Sequence, residues 1–213
     1  MLVAPSFLSA DFLHLDKDVE MMNAHADIFH LDIMDGVFVP NISFGFPVVK
    51  AIASAAKRPM DVHLMIKDPA AYVDRFADLG ISMLSFHLEA AREESAAILD
   101  KIHSRGIKAG IAINPDCPVE KVFPLLDKLD FVLVMSVFAG FGGQKFIPES
   151  LDRIKTLKAE IDRRGMQVQI EVDGGVSPDN AGDLATAGAS ILVAGSSVFR
   201  SSDPARAIRL IRG

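Results

Sequence analysis

Cysteine is nearly absent from this chain and tryptophan wholly so: 213 residues hold one Cys, Cys117, and no Trp. A lone cysteine cannot close an internal disulfide, which excludes a disulfide-stapled fold and makes a reducing cytoplasm the expected compartment. An excess of positive charge is also missing. The net charge is −6, and broad nucleic-acid binding needs a basic face. No apolar run approaches the ~18–20 residues that span a bilayer. The opening stretch MLVAPSFLSADF has no basic residues before its apolar part and meets Asp11 early, so it does not read as a secretory signal. No linker, composition break or low-complexity segment interrupts the chain, and residues 1–213 are expected to form one domain. What is present is 50% hydrophobic and 23% charged. That is the balance of a well-buried globular protein with one substantial core. Its acidity adds a constraint: an anionic small molecule would need local help from backbone N–H groups or a metal.

Short β-branched or apolar runs alternate with amphipathic stretches rich in Ala, Glu, Lys and Leu. The strand candidates are Leu2–Leu8, Ile28–Met34, Pro59–Ile66, Met83–Leu88, Lys108–Asn114, Phe131–Val137, Gln167–Asp173 and Ile191–Ala194. The helix candidates between and after them are Leu13–Ala24, Pro47–Ala56, Pro69–Leu79, Glu93–Ser104, Val119–Leu129, Glu149–Arg164, Pro178–Ala187 and Pro204–Ile211. Asp68, Ser177 and Asp203 each precede a proline suited to the first helical position. Gly80, Gly106, Gly165 and Gly188 follow helical runs as C-caps. Eight strand–helix units suit an α/β fold of the (β/α)₈ TIM-barrel type. An open doubly wound sheet has the same local pattern, but the even spacing favours the barrel.

In such a barrel the chemistry sits at the C-terminal ends of the strands. Side chains alternate faces with period two. In HLDIMDG, His30, Asp32 and Met34 share one parity, while Leu31 and Ile33 share the other. In the third strand His63 and Met65 share a parity, and in the seventh Glu171 and Asp173 do. His30, Asp32, His63 and Asp173 thus form a two-His, two-carboxylate set able to converge. Such nitrogen and oxygen donors suit one divalent ion, Zn²⁺ first, with Fe²⁺, Mn²⁺ or Co²⁺ as alternatives. Asp35–Gly36 reads as the turn that ends the strand, with no chemistry assigned.

AGFGGQKF (139–146), VDGGVSPDN (172–180) and VAGSSVF (193–199) follow the sixth, seventh and eighth strands. Glycine-rich loops let backbone N–H groups approach a phosphate, and loops after the last barrel strands are a recurring phosphate site. Gln144 and Lys145 are within reach of a ligand, although a solvated Lys145 is the default. Met34, Met65 and Met135 have inward parity near the strand tops and read equally as core filling or as a polarizable pocket wall. Ser9, His87 and Asn114 are further candidates, with Ser9 the best placed.

The stretches PSFLSADF, HLDIMDGVFVPNISFG, DVHLM, FHLEA, GFGGQKF, VDGGV and AGSSVF, in this order and separation, resemble the ribulose-phosphate 3-epimerase family along essentially the whole chain. The resemblance implies a ribulose-phosphate-binding barrel, a divalent metal, and reversible inversion at C3 of a pentulose 5-phosphate in the pentose phosphate pathway. D-ribulose 5-phosphate and D-xylulose 5-phosphate would interconvert through a metal-stabilised enediolate. It places the metal ligands on His30, Asp32, His63 and Asp173, and the acid/base pair on Asp32 and Asp173. Substrate contacts fall on Ser9, His63, Gly140, Phe141, Gly142, Gly143, Asp173, Gly174, Gly175, Gly195 and Ser196. A cytoplasmic homo-oligomer is expected, with a small sugar phosphate as partner. There is one departure: Phe138–Ala139 stand where the family usually has Asn-Pro or Glu-Pro, which loosens the turn into the glycine loop. That leaves a 3-epimerase of a hexulose 6-phosphate such as D-allulose 6-phosphate as the alternative. A related decarboxylase would need lysine in an Asp-x-Lys pattern, where this chain has Met34. The segments Phe38–Phe46 and 140–143 are lid candidates.

Overall fold

The computed structural model describes residues 1–213. Eight parallel strands form one sheet in the order β1-β8-β7-β6-β5-β4-β3-β2. They are β1 Leu2–Pro5, β2 Phe29–Met34, β3 Met60–Met65, β4 Met83–His87, β5 Lys108–Ile113, β6 Phe131–Met135, β7 Gln169–Asp173 and β8 Ile191–Ala194. A parallel bridge between Ser6 and His30 joins the two edges, so the sheet closes into a barrel. The helices are α1 Leu15–His25, α2 Phe46–Ala55, α3 Val73–Ala77, α4 Leu88–Ala91, α5 Ser95–Ser104, α6 Ser150–Arg163, α7 Ala181–Ala187, α8 Ser196–Phe199 and α9 Pro204–Arg212. No helix is long and apolar enough to cross a membrane.

Four sequence expectations fail locally, each for an identifiable reason. The first strand stops at Pro5 rather than Leu8, because Ser6 turns the chain: its Oγ accepts the Leu8 N–H and starts a 3₁₀ turn over Phe7–Ser9. Val119–Lys128 is a 3₁₀ segment rather than an α-helix. Pro124 lies inside it, where a missing N–H and a bulky ring oppose the i→i−4 ladder. Pro69–Leu79 divides into a 3₁₀ turn at Pro69–Ala71 and the short α3. Ser177 does not cap α7: its hydroxyl accepts from Asp179 N–H and its own N–H donates to Asn180 Oδ1, a local turn that delays the helix to Ala181. The four proposed C-cap glycines all have positive φ, as that role requires.

Both faces of the strands are buried, which is why they read as nearly continuous apolar runs. Outward residues such as Leu31, Ile33, Val62, Leu64 and Val172 join the main core beneath the helices. Inward residues stack in layers. Phe131, Met83, Ile28 and Ile191 make an apolar plug toward the N-terminal ends of the strands. Gly110 permits it, since a Cβ there would run into the Phe131 ring. Above this plug the lining turns polar, with His30, Asp61, His63, Ser85, His87 and Glu171 all fully buried.

Candidate active site

Strand register brings the polar set together. On β2 and β3, His30 lies beside Asp61 and Asp32 beside His63, while β7 carries Glu171 and Asp173 on the same inward parity. Donor atoms of His30, Asp32, His63 and Asp173 all lie within 4.8 Å of one another. His30 Nε2 is 3.3 Å from Asp32 Oδ1, and His63 Nδ1 is 3.1 Å from the same oxygen and 4.0 Å from Asp173 Oδ2. Ser6 Oγ donates to Asp32 Oδ2.

The second layer was only partly visible in the sequence. Asp61 Oδ2 accepts from His30 Nδ1 at 2.6 Å, which turns Nε2 toward the Asp32–Asp173 side. Asp61 shares the parity of His63 in MDVHLM, and that was the signal available for it. Glu171 Oε1 lies 3.5 Å from His30 Nδ1. Ser6 was missed because the first strand was carried through it.

Burial penalises charge here, and partners decide who keeps it. Burial pushes the Asp32 carboxyl up, but the adjacent imidazoles of His30 and His63 outweigh it and hold Asp32 far below its ordinary range. Burial, helped by the negative charge of Asp32, pushes Asp173 up to about 7. Burial would push His30 down, yet Asp32 and Asp61 together hold it well above its ordinary value. His63, where burial wins, falls to about 4. Burial and the charge of Asp61 push Glu171 up to about 8. Two neighbouring carboxyls, Asp32 and Asp173, are therefore driven in opposite directions.

The set suits a divalent ion on structural grounds. His30 Nε2 is fully buried and makes no hydrogen bond within the protein. It faces two carboxylates and a neutral imidazole nitrogen, a mixed N/O donor set of the type that zinc and related metals accept.

Above this cluster opens a cleft. Asp32 and Asp173 line its floor, Met34, Met65 and Met135 its wall, and Ser6, Leu8 and Ser9 one side. Gly140, Phe141, Gly142, Gly143, Gly174, Gly175, Gly195 and Ser196 line the rest, as their positions after the last three strands predict. His30 and His63 lie beneath the floor. His63, expected also to touch substrate, is fully buried and does not line the cleft. No backbone carbonyl accepts from the N–H groups of Gly142, Gly143, Gly174, Gly175 or Ser196. Gly175 has φ +64, and a Cβ on it would strike the Phe146 backbone. Only glycine lets the chain close up there.

The loop after β6 is tied down without the proline. Gln144 Nε2 donates to the carbonyls of Phe138 at 2.7 Å and Phe141 at 2.8 Å, so this amide is turned into the loop rather than toward a ligand. Asn114 Oδ1 accepts from Ala139 N–H at 3.0 Å. Asn41 Nδ2 donates to Gly140 O at 2.8 Å, joining the two lid candidates. Phe138 is half exposed at the rim and Lys145 is exposed. Asp35 holds its turn, its carboxylate accepting from the N–H groups of Val37, Phe38 and Lys67.

A model of the Ribulose-phosphate 3 epimerase family matches residues 2–199. The ribulose-phosphate 3-epimerase of Bacillus subtilis (strain 168) is 46% identical, covering 99% of this chain and 98% of that protein. The enzyme of the same name from Escherichia coli (strain K12) is 43% identical, covering 99% and 94%. Among solved structures, KGPDC from Streptococcus mutans in complex with D-R5P superposes with a TM-score of 0.76 at 14% identity, over 99% of this chain and 94% of that one. A 3-hexulose-6-phosphate synthase does so with a TM-score of 0.73 at 16% identity, over 100% and 98%. At such identities these structures share the fold alone.

Proposed function

This chain belongs to the ribulose-phosphate 3-epimerase family, and from that premise we propose that it interconverts D-ribulose 5-phosphate and D-xylulose 5-phosphate, a step of the pentose phosphate pathway. The observation that carries the reading is the convergence of Asp32 and Asp173 with two buried histidines on the floor of a cleft whose far side is glycine loop. The five free N–H groups of Gly142, Gly143, Gly174, Gly175 and Ser196 give an acidic protein its local means of holding a phosphate.

Inversion beside a ketone takes a proton from one face of C3 and returns one to the other. A single fixed base reaches one face only, so two carboxyls from separate strands are the natural arrangement. Asp32 starts ionised and is the base in one direction. Asp173, raised to about 7, keeps its proton well above the ordinary carboxyl range and is the acid. In the other direction they exchange roles, and as a neighbouring pair they titrate together. Ser6 steadies the Asp32 carboxylate from the side away from the histidines. The methionine wall keeps water from the exposed carbanion. A divalent ion held by His30, Asp32, His63 and Asp173 supplies, when bound, Lewis-acid stabilisation of the charge released onto the substrate's oxygens.

The test is a coupled assay with ribulose 5-phosphate and allulose 6-phosphate, before and after chelation. The proposal expects preference for the pentulose and loss of activity on chelation, restored by added metal. Preference for the hexulose moves the substrate to the alternative. Full activity without metal removes the ion from the mechanism.

A further inference from the structure

Outside the cleft, a file of hydrogen-bonding groups runs from the cluster to the protein surface. His63 Nε2 lies 3.0 Å from His87 Nε2, and His87 Nδ1 lies 3.3 Å from Glu89 Oε2. Glu89 Oε1 accepts the Asn114 N–H at 2.8 Å. His87 is fully buried, with the Phe38 ring 4.9 Å from its own. Neither His87 nor Glu89 lines the cleft, so the epimerisation as described above does not use them.

A contact between two imidazole nitrogens needs one proton between them, and each neutral imidazole carries one. Only two registers satisfy this. In the first, His63 Nε2–H donates to His87 Nε2, and His87 Nδ1–H donates to Glu89. His63 Nδ1 then presents a bare lone pair toward Asp32, Asp173 and His30 Nε2. In the second, every proton moves over by one place. His87 Nε2–H donates to His63, and His63 Nδ1 carries a proton toward Asp32. His87 Nδ1 is left as an acceptor, and the Asn114 amide, 3.4 Å away, is the donor it would find. A carboxylate accepts and never donates, so Glu89 opposes the second register, just as Asp32, 3.1 Å from His63 Nδ1, opposes the first until a cation occupies that lone pair. Burial pushes the Glu89 carboxyl up, but the His87 ring and the Asn114 N–H outweigh it and hold Glu89 below its ordinary range, as a charged acceptor.

We propose that Glu89 and His87 are positioning residues: acting in file, they fix His63 in the tautomer whose Nδ1 lone pair is free to bind the metal. The inference rests on the reading of His30, Asp32, His63 and Asp173 as a metal site. His30 has its orienting carboxylate, Asp61, in direct contact. His63 has one at a distance, relayed through a second imidazole. Such outer partners set the tautomer of metal-binding histidines, and losing one typically weakens affinity about 10–100-fold.

Two substitutions test this, because tautomer control and simple packing order them oppositely. In Glu89→Gln the amide oxygen can keep the Asn114 N–H while the NH₂ group donates to His87 Nδ1, which forces the second register with almost no change of shape. In His87→Gln the amide oxygen accepts from His63 Nε2–H and the NH₂ donates to Glu89, so the first register survives a larger change. The measurements are Zn²⁺ affinity by calorimetry at one pH, and the protonated nitrogen of His63 and His87 from ¹⁵N shifts of both metal-free and Zn²⁺-loaded protein. Glu89→Gln is expected to lose about 10–100-fold in affinity, with a larger share of His63 carrying its proton on Nδ1 in the metal-free protein than in wild type. His87→Gln is expected to stay nearer wild type. Glu89→Gln binding within twofold of wild type, with the His63 tautomer unchanged, overturns the proposal. So does an affinity loss larger in His87→Gln than in Glu89→Gln. If the wild type takes up no Zn²⁺ the metal-site reading fails, and the ¹⁵N shifts of the metal-free proteins still decide whether Glu89 sets the tautomer.

Discussion

Asp173→Asn separates a two-base epimerisation from every one-base scheme. The amide has the shape of the carboxyl and stays over the same floor, but it can neither take nor give the proton. The structure specifies what survives. Asp32 owes its ionisation to His30 and His63, not to Asp173, so it remains a competent base in the variant. A positioned acid or base contributes about 10²–10⁴-fold, or about 3–5 kcal/mol of barrier. Epimerisation should therefore fall at least that far. Proton exchange should survive on one face only: the epimer that presents its C3–H to Asp32 loses that hydrogen and regains one from the same side. In D₂O with metal in excess, ¹H NMR should show deuterium entering C3 of one epimer, with retention, and none entering the other. Asp32→Asn should reverse the pattern. Epimerisation within tenfold of wild type in Asp173→Asn, or exchange into both epimers at similar rates, would refute the assignment.

Glu171 makes stability pH-dependent in the chelated protein. Its native carboxyl is raised to about 8, so the native state prefers the proton. That contribution is complete below about pH 4.5 and lost as pH rises through 8, with a ceiling of about 5 kcal/mol. Urea melts from pH 5 to 9 should show declining stability that Glu171→Gln flattens; an unchanged slope sinks the argument. Gly110→Ala pushes a methyl into the Phe131 ring and should cost about 1–3 kcal/mol, read as a lowered Tm by calorimetry. Adding Phe131→Leu should recover most of it, and additive losses would show that the clash is elsewhere. Gly175→Ala, strained by its positive φ and by the Phe146 backbone, should raise KM and weaken inhibition by inorganic phosphate. An unaltered phosphate inhibition constant would place the phosphate elsewhere.

The barrel was legible because its strands are buried on both sides, and apolar runs of that kind survive any uncertainty about their ends. β8 matches its expected range residue for residue, whereas β1 is cut short because a serine hydroxyl bonded to the nearby backbone. Parity placed His30, Asp32, His63 and Asp173 without knowledge of any distance. It could equally have placed Asp61, but an acid at the opening of a strand looks like a solvated end unless its neighbour on β2 is known. The His63–His87 contact spans 24 residues and depends on the β3–β4 register, which no local pattern encodes. Glu89 was hidden differently, as one more acid at the start of a short helix.

The polar layer inside the barrel also bears on how such a chain changes under selection. Apolar side chains of similar volume in place of a buried ionic set are often neutral or stabilising, by about 1–4 kcal/mol. In the ion-free chain, Asp61 Oδ1 and both Glu171 oxygens make no hydrogen bond. Folding alone thus pulls these positions toward leucine or methionine, and only the chemistry above them pulls back. Under laboratory selection for heat resistance without a demand for turnover, this layer is where the first apolar replacements should accumulate. A lineage that loses its substrate should lose Asp61 and Glu171 well before it loses the barrel.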